Sequence, residues 1–307
     1  MNDIITTEKL SKRYKDILAV SDISLNVRKS EIYVFLGLNG AGKTTTIRML
    51  LGMIRPTSGT AYINGKKVYA DNLELWKNIG YLVEIPYSYP NLTVRENLEI
   101  TRRLRFISDN TSIDKVIDKL QLNAYANRKA KNLSLGNAQR LGLAKALMHN
   151  PEILILDEPG NGLDPAGIYE IREMLSDLAE NHGVTIFISS HILGEISRFA
   201  TRIGIIHEGK LIQEIDAKQL DIHCRKRLLI NTNDIKAAYS ILSQKGYSVF
   251  ETEEGLLEIK NEEAIKHPDI IATILVNAAC PTTLLQVKEE DLESYFLRTI
   301  GMKGDVK

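Results

Sequence analysis

Ile32-Tyr33-Val34-Phe35-Leu36-Gly37-Leu38-Asn39-Gly40-Ala41-Gly42-Lys43-Thr44 opens as an apolar run and closes as a glycine-rich turn. An apolar run of this length predicts a strand buried on both faces. Gly37 to Thr44 satisfies G-x-x-x-x-G-K-[ST], and Thr45 to Met53 reads as the helix that follows. Glycines let backbone N–H groups close around phosphate oxygens without side-chain obstruction. The helix aims its positive end at the same place. The stretch Gly37, Leu38, Asn39, Gly40, Ala41, Gly42, Lys43, Thr44 and Thr45 is therefore the expected triphosphate cradle. Lys43 is expected to neutralise the β and γ oxygens and Thr44 to hold Mg²⁺.

A second chemical feature lies downstream. Ile153-Leu154-Ile155-Leu156-Asp157-Glu158 places two carboxylates at the end of another apolar run. Phosphoryl transfer to water needs a carboxylate near the metal and a group that orients or deprotonates the water. Asp157 fits the first role and Glu158 the second. Ser189-Ser190-His191 ends the next strand-like run, at the edge where open α/β sheets bind ligands, so His191 is expected to touch the γ-phosphate. Between the two runs, Ile168, Ile171, Leu175 and Leu178 mark an amphipathic helix, with Asp164-Pro165 as cap and first residue. With Ile203 to Ile206 as a further strand, the alternation predicts an α/β fold: a largely parallel sheet with helices on both faces.

Around this core, residues 1 to about 30 read as short strands and turns. Asn64-Gly65 predicts a hairpin between Thr60-Ala61-Tyr62-Ile63 and Lys66-Lys67-Val68-Tyr69. Residues 85–150 read as mostly helical, with Thr93-Val94-Arg95-Glu96 as a capping box. Composition shifts near residue 216. Residues 216–226 are expected to be a linker, and the basic run Arg225-Lys226-Arg227 at its end to be solvated. Residues 227–307 follow in the order β-α-β-β-α-β, which predicts a small ferredoxin-like α+β domain.

Bulk properties restrict the options. The 307 residues carry 39 basic and 39 acidic side chains, so broad electrostatic binding to nucleic acid or a membrane is not expected. The 2 cysteines form no metal or redox motif, which fits a reducing compartment. The amino terminus lacks the features of a signal peptide, and no run is apolar for a membrane span. The expectation is a cytoplasmic protein whose membrane role goes through a partner.

Leu133-Ser134-Leu135-Gly136-Asn137-Ala138-Gln139-Arg140 resembles the signature of the ABC ATPases, L-S-G-G-Q-x-Q-R, with Leu135 and Asn137 where the family usually has Gly and Gln. The resemblance spans roughly residues 1–215. It implies a phosphate-loop core with a helical subdomain and an antiparallel β subdomain, and ATP with Mg²⁺ as the ligands. Tyr14 falls where the family stacks an aromatic ring on adenine, and Asn161-Gly162-Leu163-Asp164 where it has the D-loop. In the family two such domains sandwich two ATP molecules head to tail. Ser134, Gly136 and Asn137 would then meet the γ-phosphate held by Lys43 of a second copy, and Asp164 would lie at that interface. A helix starting near Ser134 offers free N–H groups to such an anion.

Glu84 stands where the family has a Gln that touches Mg²⁺ and the attacking water. A carboxylate is a harder metal ligand, so altered metal dependence is expected. Pro86 to Asn91 falls where the family meets its membrane permease. Glu84, the Ser-Leu-Gly-Asn signature and Asn161-Gly162-Leu163-Asp164-Pro165 together resemble the ATPases of bacitracin-resistance and lantibiotic-immunity exporters. Gly160 stands where the family usually has Thr. The expected function is ATP-driven closure of a homodimer that moves a separate permease and exports a peptide antibiotic or other amphiphile. The alternatives are a soluble ABC protein acting on nucleic acid or the ribosome, and a phosphate-loop GTPase. The first usually shows a second cassette, long coiled coils or zinc-binding cysteines, and the second an Asn-Lys-x-Asp motif; none is visible here.

Overall fold

The computed structural model describes residues 3–70, 73–84, 86–191 and 199–302. The first and last residues used in the sequence reading, Met1-Asn2 and residues 303–307, lie outside that range. The chain divides into two compact units, Met1–Lys218 and Gln219–Lys307.

In the first unit, β1 (Asp3–Tyr14), β2 (Ile17–Ile23) and β3 (Asn26–Arg28) precede the buried strand β4 (Ile32–Leu36) and helix α1 (Lys43–Leu50). Then come β5 (Ser58–Ile63), β6 (Lys66–Lys67), α2 (Leu73–Lys77) and β7 (Ile79–Leu82). The helical stretch holds α3 (Val94–Leu104), α4 (Ser112–Lys119) and α5 (Leu135–Leu147). The unit closes with β8 (Ile153–Asp157), α6 (Pro165–Glu180), β9 (Thr185–Ser190), β10 (Arg202–His207) and β11 (Lys210–Asp216).

Two sheets result. A 6-stranded sheet runs β11-β10-β4-β9-β8-β7. Its neighbours are parallel except the β10–β11 hairpin. A 5-stranded antiparallel sheet runs β2-β1-β5-β6, with β3 on β1. Strands β4, β8 and β9 are buried along their whole lengths, as apolar runs covered on both faces must be. Side chains from both sheets share one core, in which Tyr33 and Phe187 stack at 5.4 Å. The parallel strands all point their carboxyl ends at the glycine loop, which fixes where a ligand can sit.

Local signals act as their chemistry dictates. Thr93 caps α3 in a reciprocal box with Glu96, and Asp164 caps α6 ahead of Pro165. Asn64 and Gly65 both take positive φ, as the hairpin turn requires. One expectation fails in scale: the amino terminus is not short strands, because β1 runs for 12 residues. Register shifts at Leu10 and Lys12 break its alternation and hide its length from the sequence.

His149 follows α5 and donates through Nε2 to the Ile79 carbonyl at 3.1 Å. Burial, with the Arg105 guanidinium nearby, holds its pKa down to about 4. The folded chain therefore keeps the ring neutral where the unfolded chain, with an ordinary pKa near ~6.5, takes up a proton. Stability conferred by the neutral ring is full above pH ~6.5 and is lost as pH falls toward 4. Urea denaturation midpoints of wild type and His149→Gln, compared from pH 7.5 down to about 4.5, are expected to converge as pH falls. Parallel profiles would refute the assignment.

The second unit starts with α7 (Leu220–His223), followed by β12 (Lys226–Thr232), α8 (Ile235–Gln244), β13 (Val249–Glu251) and β14 (Leu257–Ile259). It ends with α9 (Glu262–Lys266), α10 (Pro268–Asn277), β15 (Thr282–Glu289) and α11 (Leu292–Thr299). The 4-stranded sheet has the order β13-β14-β12-β15 and is antiparallel throughout, with α8 and α10 supplying its core. This is the ferredoxin-like arrangement, with α9 as an added turn capped by Asn261.

The stretch expected as a linker, residues 216–226, is folded instead. Asp216 ends β11, Leu220 and Cys224 are buried, and the unit boundary falls after Lys218. Two residues of the basic run make ion pairs: Lys226 with Glu289 at 3.2 Å and Arg227 with Glu258 at 2.8 Å. The Arg225 N–H donates to Glu290. Among the described residues no helix is long and apolar enough to cross a membrane.

Candidate functional site

The glycine loop leaves β4 and is tied to the end of β9 by the Gly37 N–H, which donates to the Ser190 carbonyl at 3.1 Å. Gly42, at φ +106, turns the chain into α1; a β-carbon there would stand 2.6 Å from the Ala19 carbonyl of β2. Only glycine meets both conditions. Asn39 and Gly40 lie exposed at the tip and Ala41 is buried beneath it. Lys43 is 5% exposed. Its Nζ donates to the Gly37 and Leu38 carbonyls at 2.7 and 3.2 Å, so the loop wraps its own ammonium group. Thr45 continues the first turn of α1.

Beside the loop, pairing of β8 with β9 sets Asp157 opposite Ser189. Asp157 is buried, and its two oxygens are used separately. Oδ2 accepts from the Thr44 hydroxyl at 2.7 Å, and Oδ1 accepts from the Ser189 hydroxyl at 2.6 Å. The Ser189 oxygen in turn accepts the Glu158 N–H at 3.0 Å. Glu158 sits at φ +49, a conformation that turns its side chain off the strand. Its carboxylate is gripped from two sides, by Lys43 Nζ at 3.1 Å and by His191 Nδ1 at 2.7 Å. The structure thus gathers Lys43, Thr44, Asp157, Glu158 and His191 into one group. The hydroxyl of Thr44 and the carboxylate of Asp157 form the hard oxygen pair that suits a small divalent cation.

The remaining expected residues fall elsewhere. Ser134, Gly136, Asn137 and Asp164 form a second group, at the amino ends of α5 and α6. Ser134 caps α5 by accepting the Asn137 N–H at 3.3 Å, and Asp164 accepts the Gly167 N–H at 2.9 Å. The two ends are packed together. Leu135, 56% exposed, lies over Gly162, where a β-carbon would come within 2.4 Å of Leu135 Cγ. Arg140 bridges the helices through Glu170 at 2.8 Å. Tyr14 is half-exposed at the β1–β2 turn, with Lys12 Nζ 5.1 Å from its ring centre. Glu84 is not drawn to the Thr44–Asp157 pair: its carboxylate contacts Arg48 Nη2 of α1 at 2.7 Å.

Three residues were not singled out from sequence. Ser189 links Asp157 to the Glu158 backbone, and its only signal was its place at the strand end. Gln139, buried on α5, donates to the Glu158 carbonyl at 3.3 Å. A glutamine on the apolar face of a helix was the available sign. Arg48 had no sequence signal, since its partner Glu84 lies in a distant segment, just past β7.

The residues that gather here, a phosphate-type loop with buried lysine, paired strand-end carboxylates and a capped helix beyond, define a nucleoside triphosphatase core. Comparison with known proteins gives the family. Residues 20–161 match the ABC transporter family. The bacitracin transport ATP-binding protein BcrA of Bacillus licheniformis is 41% identical over 98% of this chain and 98% of its own length. The lantibiotic transport ATP-binding protein SrtF of Streptococcus pyogenes is 37% identical over 69% of this chain and 90% of its own. A dimeric ATP-binding cassette in a post-hydrolysis state with ADP and Pi superposes with a TM-score of 0.65 at 27% identity, covering 70% of this chain and 99% of that one. The chain belongs to the ABC transporter ATP-binding proteins, and is an ATP-binding protein of the ABC ATPase type.

Proposed function

We propose that this chain is the ATPase subunit of an exporter that moves a peptide antibiotic or similar amphiphile, working as a head-to-tail homodimer on a separate membrane permease. The observation that carries the reading is the division of the site into two groups within one chain. Lys43, Thr44, Asp157, Glu158 and His191 have what is needed to hold and attack a triphosphate. Ser134, Gly136 and Asn137 offer a capped helix end suited to an anion but stand in the other group. A second copy brings its helix end to the first copy's triphosphate. The likeness to BcrA along nearly the whole chain supports the cargo class.

Each residue has a role in this reading. The backbone from Gly37 to Thr45 cradles the phosphates, and the half-exposed Tyr14 ring stacks on adenine. Thr44 and Asp157 would hold Mg²⁺, which would supply charge neutralisation to the phosphates when bound. Before ATP enters, Lys43 is paired with Glu158. Transfer of Lys43 to the phosphates frees that carboxylate to accept a proton from the attacking water. His191 keeps hold of the other oxygen of Glu158 and orients it. Glu84 approaches the metal side, and Asp164 shapes the dimer face. Residues 219–307 form an accessory domain.

The permease contact is assigned to Pro86–Asn91, where Tyr87 and Tyr89 are exposed and meet edge to face at 5.7 Å. In this reading the chain sits on the inner face of the cell membrane through its partner. The test is affinity purification from the native host's membranes. A permease should co-purify with the wild type and be lost with Tyr87→Ala/Tyr89→Ala. Recovery of ribosomes or nucleic acid instead would overturn the transport reading.

A further inference from the structure

Glu84 needs an explanation that its place in the nucleotide site does not provide. β7 pairs with β8 in parallel, with Leu82 opposite Leu156. Glu84 follows the carboxyl end of β7 and Glu158 that of β8, so both leave the sheet at the same edge. In the nucleotide reading, an added carboxylate at this edge adds to the negative charge that Asp157 and Glu158 already bring to the triphosphate, and like charges at close range oppose binding. The structure supplies a counter-charge. Arg48 lies on α1, the helix that Lys43 begins, so its guanidinium is fixed to the element that carries the phosphate loop. Arg48 Nη2 is 2.7 Å from Glu84 Oε2. Glu84 holds φ +56, a left-handed conformation uncommon for a non-glycine residue. The side chains are 37% and 54% exposed, so the pair is held loosely and exchanges partners at small cost.

We propose that Arg48 is the counter-ion that lets this chain carry a glutamate at position 84: it holds the Glu84 carboxylate against α1 before nucleotide binds and yields it when metal-loaded nucleotide arrives. Arg48 is thus a positioning residue, acting through Glu84. The inference rests on the reading of Gly37–Thr44 as the nucleotide site. A glutamine at this position would need no such partner. Without Arg48, the Glu84 charge faces the phosphates uncompensated whenever no metal accompanies them. Metal-free nucleotide should therefore feel the loss most.

The test uses the full chain and four proteins: wild type, Arg48→Gln, Glu84→Gln and the double variant. Equilibrium binding of methylanthraniloyl-ATP is measured by fluorescence in EDTA and in excess Mg²⁺, without turnover. In EDTA, Arg48→Gln is expected to weaken binding roughly fivefold more in the wild-type background than in the Glu84→Gln background. Excess Mg²⁺ should remove most of that difference, and so should high salt, which screens half-exposed charges. Arg48→Lys should bind within about twofold of wild type, because it keeps the charge. Equal effects of Arg48→Gln in both backgrounds would overturn the proposal, as would a difference that Mg²⁺ leaves intact. Far-UV circular dichroism and melting of each variant separate misfolding from lost coupling. If the folded wild type fails to bind the probe with Mg²⁺, the nucleotide reading itself falls; binding without coupling defeats the Arg48 proposal alone.

Discussion

Glu158→Gln is expected to lower ATP turnover by about 100- to 10,000-fold, the usual worth of a positioned general base, while leaving ATP binding intact. The argument is geometric. Glu158 has one oxygen on Lys43 and the other on His191, so its place is fixed by contacts at both ends. Its backbone is fixed separately, by the N–H to Ser189 and by the carbonyl that accepts from Gln139. The amide of glutamine fits the same space and keeps the backbone bonds, but it cannot accept a proton at neutral pH. It also leaves Lys43 without its carboxylate partner, so ATP no longer has to displace one. Binding should hold or tighten as turnover collapses. Phosphate release and equilibrium nucleotide binding, measured on the same preparation, decide the matter. Turnover within about threefold of wild type would remove Glu158 from the base role.

Gly136→Asp should be nearly as damaging, by at least about 100-fold in turnover, the scale on which anion-stabilising donors act. Its cause differs. The capped end of α5 is suited to an anion, and in the proposed dimer an aspartate there would present a negative charge to the phosphate of the opposing copy. A β-carbon at position 136 would lie 3.1 Å from the Gly162 carbonyl and 3.2 Å from Leu163 Cδ2, so the backbone must give only slightly. The variant should therefore fold and, as a monomer, bind ATP as wild type does. Mixing it with Lys43→Ala makes the test sharper. In mixed dimers one site pairs the intact loop of one chain with the intact helix end of the other. Turnover reappearing on mixing, from two proteins inactive alone, is the result expected. Normal turnover by Gly136→Asp alone would break the composite-site reading.

Much of this molecule is legible in its sequence because local chemistry decides it. The loop from Gly37 to Thr44 needs glycine at fixed places, and the capping residues Thr93, Ser134 and Asp164 act within one turn of themselves. Asn64-Gly65 carries its own turn. Even the ferredoxin-like order of the second unit follows from periodicity and turn signals. Features decided by distant partners are less legible. Arg225-Lys226-Arg227 is largely exposed as its charges suggest, but the folding of the segment around it, with Glu258, Glu289 and Glu290 brought near, has no local sign. The Arg48 that holds Glu84 is brought to it by tertiary packing alone, with no mark in the sequence. The grip of His191 on Glu158 is of the same kind: the sequence puts both at the right edge, and only the β8–β9 pairing turns them toward each other.

The contact of Leu135 with Gly162 bears on how this chain can change over evolutionary time. Gly162 holds φ +79, a conformation that asparagine tolerates better than other residues with side chains. Leu135 fills the space that any such side chain would enter. The bulky residue in one motif therefore narrows the alphabet of another, and the order of substitutions matters. In a library that varies both positions, asparagine at 162 should survive selection only in clones where 135 has first become small. The two motifs would then behave as a single heritable unit, and a signature transplanted from a relative with glycine at 135 would arrive with more freedom in its D-loop than this chain now has.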